Sequence, residues 1–185
     1  MKTSDKWIEK GYEHFGLYGP ENLNVKQMAK EASISRTSFN YYFKNKDEFI
    51  NELLMHHLDL NTKYCEAAKV NCKNYLPDIH KMVLLFPTGF QFHKQLFNYR
   101  TILKFNETFI TCNEISAREF VVKLFIDHYK LPLAFEDAFQ LHESLLATWY
   151  SRIDFNDSNV FNLDYLMNTT EEIMTPLLKL VNLNK

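Results

Sequence analysis

Between Ser33 and Lys46 the only charged side chains are Arg36, Lys44 and Lys46, all positive, in a chain whose formal net charge is −2. Thr37, Ser38, Asn40 and Tyr41 lie among them. These residue types can read the edges of base pairs. A guanidinium presents a fork of donors to the two acceptors of guanine, a carboxamide pairs with adenine, and a threonine methyl meets that of thymine. Arg36, Asn40 and Thr37 are the candidates for those three contacts. The total charge does not advertise a nucleic-acid binder, but the local patch does.

Such a patch needs a rigid support. Apolar spacing predicts a first helix over 4–16, capped by Ser4, with Ile8, Gly11, Tyr12 and Phe15 on its buried side and a stop from Gly16 to Pro20. Asn24 offers an N-cap to a short helix whose stripe is Val25, Met28, Ala29 and Ala32. Ser33-Ile34-Ser35 breaks the chain, and Ser35 can cap a third helix over 36–43 with Phe39 and Phe43 turned inward. Two short helices joined by three residues form a helix-turn-helix, which lays its second helix in the major groove. Small Ala29 allows close approach, and Ile34 buries in the turn. After Lys44-Asn45 a long helix runs from Lys46 to about residue 72. Helices follow over 78–86, 89–110, 114–130, 134–153 and 162–182, with an Asn/Asp-rich loop at 154–160 and a kink or early stop at Pro176.

The run from Asn24 to Phe49, NVKQMAKEASISRTSFNYYFKNKDEF, resembles the signature of the TetR family of transcriptional regulators. That signature has a Thr-like cap, an Ile-Ala pair, Ala-Gly-Val-Ser, a Leu-Tyr-x-(Tyr/His)-Phe run, then Lys-x-Lys and an acidic pair. The likeness covers roughly residues 5–55. It departs at Ser33, where the turn Gly is usual, at Thr37, where a Gly is common, and at Asn40, where a Tyr is usual. Ser33 must then adopt the turn at some conformational cost. The resemblance implies an all-α protein, with a DNA-binding domain over 1–48 and a ligand-sensing, dimerising domain over 49–185. It also implies phosphate contacts from Tyr41, Tyr42 and Lys46. The two tyrosines alternatively pack. With the caps Asn24 and Ser35, the expected DNA-contacting set is Asn24, Ser35, Arg36, Thr37, Ser38, Asn40, Tyr41, Tyr42 and Lys46.

Sixteen Phe and ten Tyr, against only four Gly and five Pro, suit aromatic helical packing rather than a turn-rich sandwich or barrel. Phe90, His93, Phe97, Tyr99, Arg100 and Phe105 could line a small-molecule pocket, with Arg100, if buried, favouring an anion. The same residues equally suit a packed core. Phe139, Leu146 and Trp149 on one late helix, with Leu166 and Ile173 on the next, are expected at a dimer surface, which the resemblance implies is a four-helix bundle. The His residues lack metal-type spacing such as HExxH, and no phosphate loop, nucleophile elbow or CxxC occurs, so neither enzyme, cofactor nor metal is expected. Cys65, Cys72 and Cys112 read as core thiols of a cytoplasmic protein with no signal peptide or membrane span.

Three readings remain. The first is a homodimeric repressor that binds an inverted-repeat operator in double-stranded DNA and is released by an unknown small molecule. The second is a helical adaptor or constitutive DNA-binding subunit acting through protein partners. The third, an enzyme built on a helical bundle, has no positive support.

Overall fold

The computed structural model describes residues 2–154, 157 and 159–183, with side chains described as far as Lys179. Residues 155, 156 and 158 of the Asn/Asp-rich stretch lie outside the described residues. Every regular element among those described is helical, as expected. The chain forms two compact units, one of residues 1–63 and 88–112, the other of 64–87 and 113–185.

The first unit contains α1 (Thr3–Tyr18), α2 (Val25–Glu31), a 3-10 turn (Arg36–Ser38), α3 (Phe39–Tyr42), the start of α4 (Lys46–Asn71), nearly all of α6 (Pro87–Asn98) and the larger part of α7 (Leu103–Ser116). Ser4 is not the cap of α1. The helix starts one residue earlier, and the Asp5 carboxylate accepts the backbone N–H of Lys2 at 3.0 Å. The buried stripe of α1 is Trp7, Gly11, Tyr12 and Phe15, while Ile8 is only half-buried. Phe92 of α6 stacks on both Tyr12 and Phe15, at ring separations of 4.3 and 4.1 Å. The helix ends where Gly19 turns to φ +78°, a left-handed conformation that suits glycine.

Gly11 matters more. A Cβ there would sit 2.2 Å from Cζ of Phe49, a ring that is fully buried. The missing side chain is what lets α1 lie against α4. The expected single helix over 89–110 is two, because a tight turn at Tyr99–Ile102 separates α6 from α7, with Ile102 N–H donating to Tyr99 O at 2.9 Å. No Gly or Pro marks that turn, so hydrophobic spacing runs straight across it.

The second unit contains the end of α4, α5 (Asp78–Leu85), a π-helical turn (Ala117–Val121), α8 (Val122–Tyr129), α9 (Phe135–Arg152) and α10 (Leu163–Leu183). The π-turn follows α7 directly and closes with Val122 N–H donating to Ala117 O. Helix α10 continues past Pro176 to Leu183. Ala117, Val122, Ala138 and Phe139 form one core cluster. Trp149 stacks on His80 at 5.5 Å and donates from Nε1 to Leu166 O at 3.5 Å.

These contacts bear on the expected dimer surface. Phe139, Trp149, Leu166 and Ile173 are buried by the chain's own packing, and of the five only Leu146 is half-buried. The stripe of α9 is spent on α8 and α10, so the four buried side chains are interior residues. Burial also pushes the thiols of Cys65 and Cys72 up to about 11, which keeps them protonated and unreactive near neutrality.

Two stability predictions follow from these cores. Replacing Gly11 by Ala ordinarily favours a helix, but here the new methyl meets a buried ring. The clash outweighs propensity, so Gly11→Ala should lose about 1–3 kcal/mol in urea denaturation. His80 and His142 are held neutral by burial, with pKa values lowered from 6.5 to about 4. Below 6.5 the unfolded chain binds protons that the folded chain does not. Stability should be full above pH 6.5 and fall as pH drops toward 4, by about 1.4 kcal/mol per pH unit for each imidazole. Denaturation midpoints at pH 7 and pH 5 test this, and equal midpoints would contradict it.

Candidate nucleic-acid interface

Helix α2 opens as its sequence suggests. Asn24 Oδ1 accepts the backbone N–H groups of Lys26 and Gln27 at 3.0 and 3.1 Å. Met28 and Ala29 form its buried side. The turn then passes through Ser33 at φ +53°, the left-handed conformation that a Gly would take at lower cost. Ile34 N–H returns to Ala29 O at 3.0 Å and closes the turn, and its side chain is half-buried.

The reader segment begins as the 3-10 turn Arg36–Ser38 and continues as α3, Phe39–Tyr42. Phe43 has left the helix at φ −132°, ψ 127°, one residue before the expected end. Ser35 does not cap it through its side chain. Its hydroxyl pairs with that of Thr37 at 2.7 Å, while its carbonyl accepts the backbone N–H of Ser38 at 3.1 Å. The hydroxyl of Ser38 faces inward: it donates to Ser35 O at 2.6 Å and accepts from Trp7 Nε1 at 3.0 Å. Ser38 is therefore placed as a clamp between α1 and the reader rather than toward a groove.

So short a helix is marginal alone and must be held by packing. Phe39 meets Trp7 edge-on at 5.2 Å and Phe49 edge-on at 5.2 Å, and Phe43 lies 4.7 Å from Phe49. With Phe39 and Phe43 buried, Arg36, Thr37, Asn40, Tyr41 and Tyr42 are left on the outside. Tyr41 is 82% exposed and Tyr42 38%, so Tyr41 does not pack into the core and Tyr42 does so only in part. Lys46 is half-buried, and its Nζ donates to Glu21 O at 2.9 Å. It ties the start of α4 to the chain entering α2. An open depression lined by Glu21, Asn22, Leu23, Asn24, Lys26 and Arg36 lies beside these residues.

Glu31, Asp47 and Glu48 nearby are engaged, whereas Glu21 lines the depression beside Arg36. His14 Nε2 lies 2.7 Å from Glu31 Oε2, and this bond, with one from Gln27, holds the Glu31 carboxyl below its ordinary value. Asp47 pairs with Lys104 at 2.5 Å. Glu48 Oε2 accepts the backbone N–H of Lys44 at 2.8 Å, while Asn45 Oδ1 caps α4 by accepting Glu48 N–H at 2.9 Å. The outer face thus keeps the positive character of Arg36 and Lys44. Sequence reasoning missed Trp7, His14 and the cap Asn45. The Asn45-x-x-Glu48 pattern is a readable capping signal, whereas nothing local marks Trp7 or His14 as partners of Ser38 and Glu31.

The residues expected around a ligand pocket fall in the first compact unit, with the helix-turn-helix. Phe90, His93, Phe97 and Phe105 are buried, Tyr99 is half-buried and Arg100 is exposed. Several of these rings touch: Phe97 and His93 lie 5.6 and 4.6 Å from Phe109, and Tyr99 lies 6.4 Å from Phe105. Arg100 lies over the Phe97 ring, 4.1 Å from its centre, and its guanidinium donates to Phe97 O at 2.8 Å, closing the end of α6. It is placed as a helix cap and not as a buried anchor for an anion.

No curated protein sequence matches this chain. A transcriptional regulator from Saccharomonospora viridis, solved in complex with choline, has a similar structure with a TM-score of 0.69 at 11% identity, over 92% of this chain and 94% of that one. A transcriptional regulator of the TerR/AcrR family from Aquifex aeolicus VF5 is similar with a TM-score of 0.59 at 19% identity, over 95% of this chain and 99% of that one. At such identities the likeness concerns the fold. Among the described residues no helix is long and apolar enough to cross a membrane. Residues 8–53 match the bacterial regulatory proteins of the tetR family, and that span runs from the clamp helix α1 through the reader into α4. This end of the chain is thus similar to the N-terminal domain of tetR-family regulatory proteins, and the whole chain to the fold of two transcriptional regulators.

Proposed function

We propose that the protein is a cytoplasmic homodimeric repressor that binds an inverted-repeat operator and is released from it by a small-molecule effector. Residues 1–48 would hold the DNA, and 49–185 would sense and dimerise. The observation that carries the reading is the outer face of the reader. Arg36, Thr37, Asn40 and Tyr41 are exposed on a segment whose other side is fixed by Trp7, Ser38 and the edge-on and tilted rings of Phe39, Phe43 and Phe49. Arg36 and Asn40 would contact guanine and adenine edges, while Tyr41, Tyr42 and the N–H groups of Lys46 not spent on Glu21 would hold phosphates. Ser38 and Asn24 would position the reader rather than read.

An effector among Phe90, His93, Phe97, Tyr99 and Phe105 would act inside the same compact unit as the reader. Phe92, on the same helix, stacks on Tyr12 and Phe15 of α1, and α1 carries Trp7. A shift of α6 would reach Ser38 through that route. The similar fold that holds choline in the Saccharomonospora viridis structure supports an organic effector. The adaptor reading draws its own support from the ring contacts among Phe97, Phe105 and their neighbours, which fill the space an effector would need. The two readings differ in linkage. A compound retained through purification and identified by native mass spectrometry should bind about 5- to 150-fold more weakly in calorimetry when operator is present. Equal affinity with and without operator would favour the adaptor.

For DNA, selection from a random pool should enrich a palindrome whose half-sites are spaced for reader helices about 34–36 Å apart. Arg36→Ala should cost about 1–3 kcal/mol and relax one base position, whereas Lys46→Ala should weaken all sequences alike and lower the salt slope by about one. A pool that yields no motif would remove the reading.

For assembly, sedimentation at micromolar concentration should show a dimer held through the outer faces of α9 and α10. Leu146→Glu should give folded monomers, because that half-buried side chain would be lost only to the partner. Trp149→Glu should instead unfold the chain, because its ring is already interior. A folded Trp149→Glu monomer, or a monomeric unmutated protein, would refute this arrangement.

A further inference from the structure

Three side chains that the DNA reading does not use meet in the interior of the first compact unit. His57 comes from α4, His93 from α6 and Cys112 from α7, and all are buried, at 4, 8 and 1% exposure. One ligand-type atom of each lies within 4.8 Å of the other two. His57 Nε2 is 2.9 Å from His93 Nδ1, and the other nitrogen of His57, Nδ1, is 2.6 Å from the Tyr12 hydroxyl. We propose that His57, His93 and Cys112 form a three-coordinate site for a soft monovalent cation, Cu(I).

The geometry is close to what such an ion needs. Donor atoms about 2.0–2.3 Å from a metal lie roughly 3.3–3.6 Å from one another. The two imidazole nitrogens are already near that separation, and rotation of side chains brings the sulfur in. Tyr12 supplies the outer shell. With Nδ1–H of His57 donating to the Tyr12 oxygen, Nε2 carries the lone pair and faces the ion. Without the ion the 2.9 Å contact then needs a proton on His93 Nδ1, so His93 binds through Nδ1 as its other neutral tautomer, with that proton moved to Nε2.

The donor set and the surroundings select the ion. One thiolate and two neutral imidazoles suit soft and borderline metals rather than Mg²⁺ or Ca²⁺. No carboxylate belongs to the trio, and its neighbours are rings: Phe92 stacks on His57 at 4.7 Å and Phe109 on His93 at 4.6 Å. Cu(I) enters as the Cys112 thiol proton leaves to solvent, so one positive charge replaces another and the bound site is neutral. A divalent ion would leave a net positive charge in this apolar interior, where an uncompensated charge is costly. It would also call for a fourth ligand. Local spacing could not reveal the site, because its members lie on three helices far apart in sequence.

The site stands apart from the DNA reading, and its test uses no DNA. The full chain, reduced and kept anaerobic, is titrated with Cu(I) against a chromophoric Cu(I) chelator. One Cu(I) per chain should be retained, with thiolate-to-copper absorption and an X-ray absorption spectrum of one sulfur and two nitrogens. Cys112→Ser and His93→Gln should each weaken retention at least about 10-fold, while Cys65→Ser and Cys72→Ser should not. If the first two variants lose their circular dichroism, the ligand shell of the unmutated protein decides alone. Surrender of all copper to the chelator, a shell with two sulfurs, or equal loss in the Cys65 and Cys72 variants would overturn the proposal. So would retention of one Zn(II) per chain under conditions where Cu(I) is lost.

Discussion

The helix-turn-helix end of this protein depends on a void. Gly11 has no side chain, and into the space this leaves on α1 the ring of Phe49 inserts, at a place where a Cβ would be 2.2 Å from Cζ. Phe49 in turn carries Phe39 and Phe43, which with Trp7 hold the reader from below. A helix of one or two turns has little stability of its own. Its orientation is inherited from the aromatic cluster and the Trp7–Ser38 bond. The placement of this short segment comes from ring geometry rather than from helix length.

The same economy governs charge. A nearly neutral protein keeps the positive character of Arg36 and Lys44 partly by occupying three of the anions nearby. Glu31 is bonded to His14, Asp47 to Lys104, and Glu48 to the backbone at the start of α4. Each of these contacts also joins elements or closes a helix end. Structural and electrostatic roles coincide, which explains how a chain of net charge −2 can keep a surface suited to phosphates.

What was legible in the sequence followed from local rules. Caps such as Asn24, the left-handed turn at Ser33, the inward Phe39 and Phe43 and the helical class all arise from interactions within a few residues. What was illegible arose across long separations. Ser38 looked like a reader because its partner Trp7 is far upstream. Arg100 looked like an anion anchor because only the chain reversal at Tyr99–Ile102 turns it back onto Phe97. The stripes of α9 and α10 were visible, but periodicity reports that a face is apolar and not which neighbour covers it. His57, His93 and Cys112 were silent for the same reason.

The π-turn at Ala117–Val121 carries a consequence for how this chain can vary in length. An α-helix advances about 100° per residue, so one extra residue rotates everything beyond it by that amount. A π-turn absorbs the extra residue locally, through the wider ring closed between Val122 and Ala117. Ahead of it, Asn113 is buried, and beyond it Val122 and Phe125 are buried too, on faces that a regular helix would hold in a different phase. The segment therefore behaves as an insertion already accommodated. Deleting one residue here would restore regular helical bonding and leave Val122 and Phe125 facing the core, so the chain can shed a residue at this point without turning the helix that follows.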